Sequence, residues 1–156
     1  MLPLQVVIYI VPTLKNHAKP AWRAMSHYFA GFPDFKMNKN DMSILNTVTK
    51  SELYFITAER NDSVRGAAAN LLIIDEAAFV DEEIYDTASP LIRTTNGMLY
   101  CISTVNPETP KNWFYYNLLD AEIDGYKNDS PKYARRVPLP ENPFIPDKEK
   151  AIIIKE

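Results

Sequence analysis

Two adjacent carboxylates, Asp75 and Glu76, close an uninterrupted aliphatic run in LLIIDEAAF, Leu71 to Phe79. The run reads as a buried strand of a parallel sheet, and open α/β sheets place their ligands just past such strand ends. Paired carboxylates there suit nucleotide-phosphate chemistry. One can hold a magnesium ion on the phosphates while the other orients and deprotonates an attacking water. Neighbouring residues on a strand point to opposite faces, but beyond its end both side chains can turn toward one ligand. The competing reading is a strand end followed by a solvated acidic turn. Ser103, with Thr104 after it, stands 28 residues beyond Asp75 and ends a second apolar run, MLYCIS. That separation holds one helix and one strand, the length of a right-handed crossover, so the hydroxyls should end the strand beside the acidic one. Hydroxyls so placed can sense a terminal phosphate or its water. The plain alternative is a strand-ending turn of Ser, Thr, Asn and Pro.

The elements that position these residues follow from periodicity. Gln5 to Val11 (QVVIYIV) is β-branched and closed by Pro12, a buried strand. Thr13 can cap a helix over 14–29 that kinks or starts in earnest at Pro20, and Gly31, Pro33 and Asp34 end it. Ser43 to Thr49 and Leu53 to Thr57 read as short strands around a turn at Lys50 and Ser51. Glu59 to Ala69 is a polar loop holding Arg65 and Gly66. Strands are expected at 70–75 and 98–103, and helices at 81–89, opened by three acids, and at 111–123. Lys132 to Val137 is expected as an edge strand, and a helix is expected to begin near Asp147. Apolar strands alternating with helices predict an α/β fold, a mostly parallel sheet covered on both faces in three layers.

Composition narrows the classes. The chain has 156 residues, 46% hydrophobic and 24% charged, which suits one domain with a real core rather than a disordered chain. Its net charge of −3 excludes a global basic field, so any nucleic-acid contact is local. A single cysteine, Cys101, excludes an internal disulfide framework and a cysteine-cluster metal site. No apolar run approaches the roughly 20 residues that span a bilayer, so the chain reads as soluble, intracellular and without a membrane partner. The four glycines, Gly31, Gly66, Gly97 and Gly125, are about thirty residues apart. A phosphate loop G-x-x-x-x-G-K-S/T or a dinucleotide fingerprint therefore has no place in these residues.

The stretch SVRGAAANLLIIDEAAFVDEEIYDTASPLIRTTNGMLYCISTVNPETPKNWFYYNLL resembles the ATPase domain of tailed-bacteriophage terminase large subunits. VVIYIVPTLKNHAKPAWRAM resembles the strand and helix after that family's Walker A helix, and ENPFIPDKEK its segment after the last ATPase strands. The resemblance covers nearly the whole chain. It implies a P-loop NTPase core of the RecA-like, ASCE type, with 1–140 as a partial ATPase domain and 141–156 as the start of the following segment. It implies Asp75 as the Walker B aspartate holding Mg²⁺ on ATP, Glu76 as the catalytic glutamate, and Ser103 and Thr104 as the coupling motif. Arg65 matches a position where some terminases place an arginine finger acting on the neighbouring subunit. The implied partners are double-stranded DNA, a portal and a small terminase subunit, in a homo-oligomeric ring in the host cytoplasm. The family's Walker A loop should lie upstream of Gln5, and its nuclease domain is not in these residues, which suits an N-terminally truncated or split piece, inactive alone.

Two rivals stand beside this. DEAA followed by Ser-Thr also resembles helicase-like DNA-dependent ATPases, and a non-catalytic remnant that only binds partners is of another class. TASPLIRTTNG and the NWFYY helix favour terminase over helicase. Trp113, Phe114, Tyr115 and Tyr116 read as core packing more readily than as a base-stacking surface. Lys132, Arg135 and Arg136 read as a solvated edge rather than a phosphate contact. His17 and His27 lack partners at ligand spacing, and Cys101 reads as a small buried hydrophobe.

Overall fold

A computed structural model describes residues 4–59, 68–125, 132–138, 141 and 146. The β-branched run becomes β1 (Val6–Val11), a central strand with a parallel neighbour on each side. The sheet has six strands in the order β2-β3-β4-β1-β5-β6, with β2 at Phe35–Asn38, β3 at Ser43–Asn46, β4 at Glu52–Thr57, β5 at Leu71–Asp75 and β6 at Met98–Ile102. Strands β4, β1, β5 and β6 run parallel, and β2 and β3 extend the β4 edge as antiparallel strands. This is the expected mostly parallel α/β sheet. Strand β2 was not anticipated, because its four residues (FKMN) are too short to carry a period.

Register decides what each sheet face holds. Ile8, Ile10, Leu72 and Ile74 point to one face and meet Ala77, Val80, Ile84, Ala88 and Trp113 there, forming the core. Each fully buried aliphatic side chain contributes roughly 1.5–3 kcal/mol, so this layer dominates the fold's stability. The opposite face carries Tyr9 in register with Phe55 and Ile73. The turn Leu14–Ala18, a single π-helical turn, lies against β1 and β4. Over β6 the same face is open: Met98, Tyr100 and Ile102 are 59%, 53% and 56% exposed. Strand β5 is paired on both sides, by β1 and β6, and among the described residues β6 has no neighbour on its outer edge.

Helix α1 (Lys19–Phe29) continues directly from the π turn, with Pro20 in its first turn. Thr13 does not cap with its side chain; its hydroxyl meets His17 Nδ1 at 3.0 Å instead. Helix α2 (Glu82–Ala88) starts on two glutamates and tightens into a 3₁₀ turn, Ser89–Ile92, that contains Pro90. The chain divides into two compact units, Met1–Phe114 with the whole sheet, and Tyr115–Glu156. Helix α3 (Trp113–Gly125) begins at the end of the first. Within the second, Arg136 grips Glu122 through Nε at 2.6 Å and a second nitrogen at 2.8 Å, and Lys132 lies 3.7 Å from Asp124. Residues 132–138 form no strand, and Lys132 and Arg136 pair with carboxylates of α3. The helix expected from Asp147 lies outside the described residues. No helix among the described residues is long and apolar enough to cross a membrane.

Candidate functional site

Strand β5 delivers Asp75 to its C-terminal end, and there the backbone breaks sharply. Glu76 takes a left-handed conformation, φ 52° and ψ 44°, before a 3₁₀ turn at Ala77–Phe79. That conformation costs an L-residue about 1–2 kcal/mol and so must be held by its surroundings. The restraints are visible. Asp75 Oδ1 accepts the Glu76 N–H at 3.0 Å, and Oδ2 accepts the Tyr9 hydroxyl from β1. Burial, the hydrogen bond to Asp75 and the nearby carboxylates push the Tyr9 phenol well above its ordinary 10.0, so it stays a donor.

Ser103 follows the last residue of β6, where Asp75 and Ile102 are in register. Its Oγ accepts the Ala78 N–H at 3.1 Å and donates to the Thr104 carbonyl at 2.8 Å. It also lies 3.5 Å from Glu76 Oε2. One hydroxyl hydrogen thus has two acceptors, a backbone carbonyl and a carboxylate, between which it can switch. Thr104 itself is exposed and takes part through its carbonyl.

The turn after Glu76 is clamped from the far side. Asn106 and Asn112 each donate an amide hydrogen to the Ala78 carbonyl, at 3.1 Å and 2.9 Å. The Trp113 indole N–H donates to the Val80 carbonyl at 2.6 Å, and its ring stacks on Tyr85 at 4.6 Å. With Ser103 on the Ala78 N–H, four side chains therefore hold the backbone of two residues, Ala78 and Val80, which over-determines the strained turn.

Three of the sequence-derived residues, Asp75, Glu76 and Ser103, come together here. Arg65 lies outside the described residues. Tyr9, Asn106 and Asn112 were not picked out by sequence reasoning; the one available signal was a lone tyrosine inside an otherwise aliphatic strand. The donors are all oxygen, which suits Mg²⁺. Among the described residues no cluster of three or more His, Cys, Asp or Glu could enclose a metal. Mg²⁺ fits such a sparse set, since it keeps several waters and takes one or two carboxylates plus substrate phosphates. Of the aromatics at the start of α3, Trp113 is buried, Phe114 packs against the core and Tyr116 is exposed. Cys101 packs against the core as expected, and burial pushes its thiol up to about 12.

Residues 32–155 match the family described as phage terminase large subunit. Tripartite terminase subunit 3 of equine herpesvirus 1 (strain Ab4p) is 32% identical over 76 residues, which is 49% of this chain and 10% of that protein's length. The large terminase of a thermophilic bacteriophage superposes with a TM-score of 0.73 at 14% identity, covering 97% of this chain and 37% of that one. A crystal form of the same phage protein in complex with ADP gives 0.58 at 17% identity, over 76% and 30% of the two chains. The large terminase ATPase domain of Thermus phage P74-26 gives 0.61 at 23% identity, over 85% and 61%. At these identities the structural likeness is one of fold, the RecA-like α/β sheet of terminase ATPase domains. The sequence match spans most of the chain, and the chain belongs to the phage terminase large subunit family.

Proposed function

We propose that this chain carries the carboxylate side of the ATP-hydrolysing site of a motor that packages double-stranded viral DNA into procapsids. One observation carries the reading: Asp75 and Glu76 leave the end of β5 together, with Ser103 from the neighbouring strand set 3.5 Å from Glu76. Family membership and the ADP complex of the thermophilic-phage large terminase support it. Asp75 holds the Mg²⁺, which when bound neutralises charge on the β- and γ-phosphates. Glu76, turned out of the strand by its left-handed backbone, orients the attacking water and takes its proton. Ser103 shares its hydrogen between Glu76 and the Thr104 carbonyl, so a change at the glutamate is passed into the segment after β6. Arg65 acts on the site of a neighbouring subunit in a ring. The glycines of these 156 residues are too widely spaced to form a phosphate loop, so no phosphate-gripping loop is assigned among them. Portal, small terminase subunit and DNA are the partners, in the host cytoplasm; the name of the herpesvirus relative, a subunit of a tripartite terminase, supports a multi-subunit assembly.

The test is a reconstituted packaging motor carrying this chain. Glu76→Gln should retain ATP yet lose roughly 10²–10⁴-fold in hydrolysis, because the base goes while the metal ligand and the shape remain. Arg65→Ala should bind nucleotide normally and lower turnover in the assembled ring by roughly 10³-fold or more. In mixed rings an Arg65→Ala subunit should silence its neighbour's site, and a Glu76→Gln subunit its own. Hydrolysis at the wild-type rate in Glu76→Gln rings refutes the assignment of the base.

A further inference from the structure

Every residue of β1 except Tyr9 is aliphatic, and Tyr9 sends its hydroxyl to a carboxylate 66 residues further along the chain. Tyr9 is in register with Ile73, so it shares a sheet face with Ile73 and, two residues on, with Asp75. Its ring leans along the strand direction to reach Oδ2 of that carboxylate. The ring has little freedom of its own. Phe55, its register partner on β4, is buried, and the two ring centroids are 5.5 Å apart at 52°.

The second oxygen of Asp75 is restrained independently by the Glu76 N–H at 3.0 Å. Among the described residues each carboxylate oxygen thus receives one hydrogen bond, one from the sheet and one from the turn. A carboxylate offers about four lone-pair sites, so about one on each oxygen is left free, in a plane that cannot rotate. Without the Tyr9 hydroxyl only the local N–H remains among the described residues, and it holds one oxygen alone.

We propose that Tyr9 is a positioning residue that aims the Asp75 carboxylate at a divalent cation and so sets the affinity of the site for it. This rests on the reading of Asp75 as the metal-holding carboxylate. Outer hydrogen-bond partners of metal ligands typically govern roughly 10–100-fold in affinity. A tyrosine that merely satisfied its own half-buried hydroxyl would leave that affinity alone.

The test uses the 156-residue chain and Mn²⁺ alone, with binding followed by electron paramagnetic resonance. A parallel sample carries tyrosine labelled with ¹³C at Cζ for NMR. Tyr9→Phe keeps the ring and its packing, and its thermal melt serves as the check on folding. Wild type should bind Mn²⁺, Asp75→Asn should lose that binding, and Tyr9→Phe should raise the dissociation constant roughly tenfold or more. The Cζ signal missing from Tyr9→Phe should also be the first to broaden as Mn²⁺ is added to wild type, and should stay sharp in Asp75→Asn. Equal Mn²⁺ affinity in wild type and Tyr9→Phe overturns the role of Tyr9 while leaving Asp75 as a ligand. Equal binding, or equal lack of it, in wild type and Asp75→Asn overturns both.

Discussion

Glu76 occupies a backbone conformation that suits glycine and carries a carboxylate instead. Replacing it separates the two demands. Glu76→Gly should relieve the left-handed penalty and stabilise the fold by about 1 kcal/mol, because glycine enters that region freely. In a chain of this size that is a rise of roughly 2–4 °C in melting temperature, read by differential scanning calorimetry. Glu76→Gln keeps both the Cβ and the strain and should melt close to wild type. A Glu76→Gly chain that melts below Glu76→Gln would show that the turn is not strained. The carboxylates themselves were legible in the sequence, because a continuous aliphatic run ending in Asp-Glu announces a strand end. Their restraints were not. Tyr9 reaches Asp75 across 66 positions, and Asn106 and Asn112 reach Ala78 across 28 and 34, distances at which no local pattern operates.

Among the elements, the junction of β5 and β6 has the least slack. Gly97 precedes β6, and a Cβ built there would stand 2.7 Å from both the Ala69 and Asn70 carbonyl oxygens. Both are backbone atoms already in use: Thr95 donates to Ala69, and the Met98 N–H donates to Asn70 at 3.0 Å. Gly97→Ala must therefore push the start of β6 away from β5 and should cost roughly 1–3 kcal/mol in urea denaturation. A loss below about 0.5 kcal/mol, the usual range for a neutral surface change, would mean the two strands can part without penalty. The continuous apolar strands β1 and β5 were readable because burial on both faces leaves no alternation to misread, and β6 because it is apolar even on its exposed face. Residues 132–137 misled because Lys132 and Arg136 look like the charged positions of an edge strand. Ion pairs to α3 account for them instead. The β5–β6 adjacency followed from the crossover length between them, whereas the order of the remaining strands was beyond reach, because nothing in the sequence ranks them.

At the scale of the molecule, β1 has a partner on both sides and β6, among the described residues, on only one. An apolar edge of this kind, with Met98, Tyr100 and Ile102 uncovered beside it, invites another chain. It also separates two properties that usually travel together. Along a strand, successive N–H groups point alternately to the two neighbours, while side chains alternate between the two faces. The Met98 N–H is bound to β5, so those of Tyr100 and Ile102 point the same way and those of Leu99 and Cys101 point to the open edge. In amide hydrogen exchange, the residues with the most exposed side chains on β6 should therefore be the slow ones. Leu99 and Cys101, whose side chains pack against the core, should exchange orders of magnitude faster, unlike any residue of β1. Occupation of that edge by another strand would abolish the alternation, so the exchange pattern of five amides becomes a direct readout of whether β6 is free or paired.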